Sequence, residues 1–72
     1  MSLGGDEMGK NYKLKGARVE KGYSQERLAD AIGMPLITYQ TKENGKSVFT
    51  ELEISKICEV LEKNVTDIFF TQ

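Results

Sequence analysis

Any chemistry in this chain must be done without histidine and with one cysteine in 72 residues. That removes disulfide bonds, Cys/His zinc sites, Cys–His and Ser–His dyads and a histidine general base together. Cys58 stands among Ile54, Ile57 and Leu61 at helical spacing, where a thiol reads as a small buried hydrophobe. The carboxylates Glu51 and Glu53 read as helix-start residues, not as a catalytic pair. No nucleophile, base or metal constellation remains, so neither an enzyme nor a cofactor nor a small-molecule ligand is expected. What the chain does carry is binding chemistry. Amide, hydroxyl and basic side chains recur between Gln25 and Lys46, and the charge is unevenly spread. From Lys10 to Lys46 eight basic residues face four acidic ones, a balance of +4. From Thr50 to Gln72 two basic residues face five acidic ones, a balance of −3. A net charge of −1 thus hides a basic half suited to a polyanion and an acidic half turned away from it.

The elements that must position these side chains are short. Ser24 is a hydroxyl N-cap, Leu28, Ala29 and Ile32 form an apolar face, and Gly33 stands where the helix must stop. The predicted helix spans residues 25–32. Pro35 can open a following helix but cannot sit inside one, which leaves a connection of only about three residues. A helix over residues 35–43 then ends at Asn44-Gly45-Lys46. Short helix, tight glycine turn, short helix is the helix-turn-helix, whose second helix enters the major groove of DNA.

The rest of the chain supplies a scaffold. Residues 12–21 read as a first helix, with Leu14 and Ala17 apolar and Gly22 as its stop, and Tyr23 packs under the second helix. Thr50 and Glu53 form a capping box, Phe49 and Ile54 have the spacing of a hydrophobic staple, and Ile54, Ile57, Cys58 and Leu61 line a fourth helix ending near Glu62. Asn64 with Asp67 starts a short fifth helix carrying Val65, Ile68, Phe69 and Phe70. The expected fold is all-α, five short helices in one domain over residues 10–72. Residues 1–9, opening Met1-Ser2-Leu3-Gly4-Gly5, read as a tag or loose arm. A domain of this size buries only about 60% of its unfolded surface, so the core is small. No apolar stretch nears the roughly 18 residues of a membrane span and no signal-peptide pattern is present, so a cytoplasmic setting is expected.

Leu14, Arg18, Gly22, Ser24-Gln25, Leu28-Ala29, Gly33, Thr38, Glu43-Asn44-Gly45-Lys46 and Val65-Thr66-Asp67-Ile68-Phe69 together resemble the phage-repressor/Cro (XRE-type) helix-turn-helix family. The resemblance runs from about Lys13 to Phe70. It implies a lambda-repressor-like DNA-binding domain acting on double-stranded DNA, with Leu36, Ile37, Gln40 and Thr41 facing the bases. In such a pose Gln40 would hold adenine through N6 and N7, and Leu36 or Ile37 would lie on thymine methyls. Gln25, Asn44 and Lys46 would contact phosphates, which position a protein without reading sequence. Arg18 and Glu43 would form an ion pair locking the reader to the scaffold. The chain departs from the family at Pro35, where a capping Ser or Thr is usual, and at Lys42, where a bulky apolar side chain is usual. Leu36 and Ile37 also replace the commoner polar residues.

The expected function is a sequence-specific transcriptional regulator, a repressor, dimeric because one such reader covers about half a site. Ile68, Phe69 and Phe70 are the candidate dimer seam, with closure of the core as the competing role. The alternative function is an antitoxin-like or adaptor protein that uses the Leu36/Ile37 face to bind protein.

Overall fold

Most helix boundaries in the computed structural model, which describes residues 11–69, trace to individual caps and stops. The arm expected over residues 1–9 lies outside the described residues, as do Lys10 and Phe70. Five helices follow in order: α1 Tyr12–Glu20, α2 Gln25–Ala31, α3 Leu36–Glu43, α4 Glu51–Leu61 and α5 Val65–Ile68. No strand occurs among the described residues.

At the start of α2, the Ser24 hydroxyl accepts the Arg27 N–H at 3.0 Å. At α4 the capping box is complete: Thr50 Oγ1 accepts the Glu53 N–H at 3.2 Å, and Glu53 Oε1 accepts the Thr50 N–H at 2.9 Å. Phe49 and Ile54, on either side of that box, both pack into the core. At α5 the Asp67 carboxylate accepts the Asn64 N–H at 3.3 Å. Helix α3 departs from expectation by one residue. Pro35 stands at ψ 146°, extended, so the helix begins at Leu36 and has no side-chain cap. An absent cap of this kind costs about 1 kcal/mol.

The ends of α1 to α4 share one hydrogen-bond pattern, a six-residue closure enclosing a four-residue one around a left-handed residue. After α2, Met34 N–H donates to Ala29 O at 2.8 Å and Gly33 N–H to Asp30 O at 3.1 Å. Gly33 takes φ +74°, which a side chain would resist, and this keeps the α2–α3 turn tight. At α4 the left-handed position is held by Glu62, at φ 57°, with Lys63 N–H donating to Cys58 O at 3.1 Å. Its carboxylate meets Lys21 Nζ at 2.8 Å, and that hydrogen bond lowers its pKa from the ordinary value.

The core is centred on Leu14, Leu28, Tyr39, Ile57, Leu61 and Ile68, all fully buried. Phe49 joins its two ends, 5.9 Å from the Tyr39 ring and 5.6 Å edge-on from Phe69. Of the residues considered for a dimer seam or for core closure, Ile68 and Phe69 pack on the core, and Phe70 lies outside the described residues. Ile68 is 1% exposed and spends its side chain on the chain's own core, while Phe69 is half-buried against Phe49. Cys58 is half-buried; burial, then the charge of Asp67, pushes its thiol up, away from the reactive thiolate.

Lys42 is more than an aliphatic stem. Its ammonium meets Glu53 Oε1 at 2.8 Å and lies 5.9 Å from the Phe49 ring centroid, tying α3 to the first turn of α4. Glu53 therefore serves its own helix and a neighbour together. Burial opposes its ionisation, but the bonds from Lys42 and Thr50 outweigh that and hold its carboxyl below the usual value. A depressed carboxylate contributes stability above its unfolded pKa and loses it as pH falls through the folded one. Glu53→Ala is expected to lower stability at neutral pH by about 1 kcal/mol. Glu53→Gln keeps an acceptor for the cap and removes the charge, so its melting temperature should fall less steeply with acidification than that of the wild type. Thermal melts from neutral to acid pH check both.

Candidate nucleic-acid interface

Besides its tie to α4 through Lys42, helix α3 is held at three further points before any ligand is considered. From α1, Arg18 reaches its last turn: Nε donates to Glu43 Oε1 at 3.2 Å and Nη2 to Glu43 Oε2 at 3.1 Å, a two-pronged pair. The remaining nitrogen, Nη1, donates to the Tyr23 carbonyl at 2.8 Å, just ahead of the α2 cap. One guanidinium thus fastens α1, the α1–α2 turn and α3. Both partners are buried, with side chains 8% and 4% exposed, so the planar fork matters more than a point charge would. The Tyr39 hydroxyl is buried without a hydrogen-bond partner among the described residues, and burial pushes its ionisation far above the ordinary value. It stays a neutral phenol.

From α2, Gln25 reaches the same turn. Gln40 Nε2 donates to Gln25 Oε1 at 3.0 Å, and Gln25 Nε2 donates to Glu43 Oε1 at 3.5 Å, a long contact. Gln25, Gln40, Glu43 and Arg18 form one continuous polar chain across α1, α2 and α3. Gln25 and Gln40 are both half-buried and retain polar capacity toward solvent. The third support is Asn11. Its N–H donates to Glu43 O at 3.1 Å and its side-chain Nδ2 to Lys42 O at 3.0 Å, satisfying carbonyls at the end of α3. Sequence reasoning gave Asn11 no such part. An asparagine just ahead of a helix suggests a cap for that helix, but Asn11 makes no cap bond there.

The outer surface of α3 carries the remaining candidate residues. Ile37 is 75% exposed, and Leu36 and Thr41 are half-buried beside it in the sequence pattern. Thr41 Oγ1 donates to the Ile37 carbonyl at 2.9 Å, an internal bond one turn back. Thr38 is half-buried and Tyr39 wholly so, which sets the opposite face against the core. Asn44 and Lys46 are exposed just past α3. Among the described residues Lys13, Lys15 and Lys46 form no ion pair, whereas Lys21, Lys42 and Lys63 are each bound to a glutamate. Arg27 on α2 and Lys56 on α4 are likewise without an ion pair, so the unpaired cations of the described residues are spread over α1, α2, α4 and the segment after α3. No group of three or more potential metal ligands occurs among the described residues, and no helix there is long and apolar enough to cross a membrane.

Two comparisons bear on this arrangement. The helix-turn-helix family model matches residues 14–68, from the first core leucine to the last buried isoleucine. An uncharacterized HTH-type transcriptional regulator, YgzD of Bacillus subtilis (strain 168), is 33% identical over 60 residues, which cover 83% of this chain and 91% of that protein.

Proposed function

The chain belongs to the XRE-type helix-turn-helix family, and from that premise we propose that it is a DNA-binding transcriptional regulator that lays α3 in the major groove. Two copies act together on a palindrome, since one short reader spans only half a site. The regulator acts as a repressor, for which occupancy of a promoter is sufficient. Leu36, Ile37, Gln40 and Thr41 meet base edges, and Gln25, Asn44 and Lys46 meet phosphates. Exposed Lys13 and Lys15 add sequence-independent attraction to the polyanion.

The observation that carries this reading is the pose of Gln40. Its bond to Gln25 consumes one amide hydrogen and leaves Oε1 and the second hydrogen, the donor–acceptor pair that an adenine edge takes. Fluorescence anisotropy on labelled duplexes, including the upstream region of its own gene and random DNA, tests it at several salt concentrations. Preferential binding with a steep negative salt slope is expected. Gln40→Ala should reduce preference for the best site by about 5- to 150-fold while leaving the salt slope unchanged, since it removes base and not phosphate contacts. Absence of binding at low salt overturns the reading. The second reading, docking of a protein partner, draws on the same exposed Ile37 and is favoured by salt-insensitive partner binding without DNA affinity.

A further inference from the structure

We propose that this chain selects its site through the C5-methyl groups of thymine, with Ile37 as the specificity-determining side chain. The inference rests on the groove-binding role of α3 proposed above. It follows from what the outer face of α3 has left to offer. Ile37 is 75% exposed, an aliphatic side chain in water with no packing role to account for it. Thr41, one turn on, turns its hydroxyl hydrogen inward to the Ile37 carbonyl at 2.9 Å, so it has no hydrogen to donate outward. Leu36 adds a second aliphatic group. Of the four outward positions only Gln40 keeps a hydrogen-bond donor.

The thymine methyl is the one bulky apolar group that stands out from the major-groove floor; a G·C pair presents donors and acceptors there, with only the small C5–H of cytosine beside them. Ile37 against a guanine O6 or a cytosine N4 amine would strip water from a polar group and return no hydrogen bond. Against a thymine methyl it buries apolar surface on both sides. The same side chain therefore attracts A·T pairs and rejects G·C pairs, and Gln40 beside it supplies the complementary contact to adenine.

The test uses the full chain and a randomised duplex pool. The sequence recovered after rounds of selection is resynthesised with uracil in place of each thymine in turn, which removes the methyl and leaves the base pairing intact. Wild-type binding should weaken about fourfold at each contacted position, as for loss of one buried methyl-sized group. Ile37→Ala, at an exposed position that folding does not depend on, should bind the thymine and uracil forms equally at the position Ile37 covers. Leu52→Ala, an exposed aliphatic elsewhere on the surface, should keep the full difference. Recovery of a preferred sequence whose uracil forms bind as well as thymine overturns the proposal and leaves DNA binding standing. A uracil effect of equal size in wild type and Ile37→Ala also overturns it, because the sensitivity then lies in duplex shape. Failure to recover any preferred sequence overturns the groove reading itself.

Discussion

Arg18→Ala is expected to destabilise the domain by about 3–5 kcal/mol, a large part of the 5–15 kcal/mol that holds an ordinary domain folded. The loss comes less from the missing attraction than from what is left behind. Glu43 is 4% exposed, and without the guanidinium its carboxylate is buried beside the orphaned Tyr39 hydroxyl, with only the long contact from Gln25. The Tyr23 carbonyl loses its donor as well. Urea unfolding followed by circular dichroism measures the effect. Arg18→Lys retains a charge but cannot span Glu43 and Tyr23 together, and should fall between wild type and alanine. Replacing both partners, Arg18→Met with Glu43→Leu, removes the stranded charge and should recover much of the loss. A double substitution as damaging as the alanine variant would show that packing, not the unpaired carboxylate, sets the cost.

Ile68→Ala should cost about 2–5 kcal/mol, the range for truncating a fully buried aliphatic side chain. Ile68 is 1% exposed in a helix of only four residues, so its packing, together with that of Phe69 against Phe49, holds α5 to the rest. The measurement separates a core role from an interface role. Core loss gives the same drop in melting temperature at low and high protein concentration. Loss of a subunit contact gives a drop that shrinks as concentration rises. The first pattern is expected.

The sequence was most legible where structure is local. Ser24, Thr50 and Glu53 are caps whose partners lie within three residues, and α2 ends through the Gly33 N–H to Asp30 and the Met34 N–H to Ala29. Such features need no knowledge of the fold. Pro35 misled by one residue because proline is at ease both in a first turn and just ahead of it; the chosen ψ depends on how α3 must dock. Ile68 left two roles open for another reason. A single helical turn has too few residues for its apolar positions to tell an inner face from an outer one, so core and seam look alike in sequence. The supports of α3 were harder still. Lys42 meets Glu53 across eleven positions, and Asn11 meets the Lys42 carbonyl across thirty-one. Nothing in either residue's neighbourhood announces a partner so far away. Exposure of Ile37 agrees with helical spacing, whereas the bond between Gln25 and Gln40 needed the α2–α3 angle to be known.

The bond between Gln25 and Gln40 also has a consequence for entropy. A free glutamine on a helix surface samples many rotamers, and fixing it costs up to about 2 kcal/mol. In this chain folding has already removed much of that freedom, because Gln40 is bound to Gln25 and Gln25 contacts the carboxylate that Arg18 grips. A side chain that is ordered before contact loses little more on contact. Its discrimination between surfaces then rests on shape and hydrogen-bond match, and a mismatched surface cannot be accommodated cheaply by letting the side chain swing away.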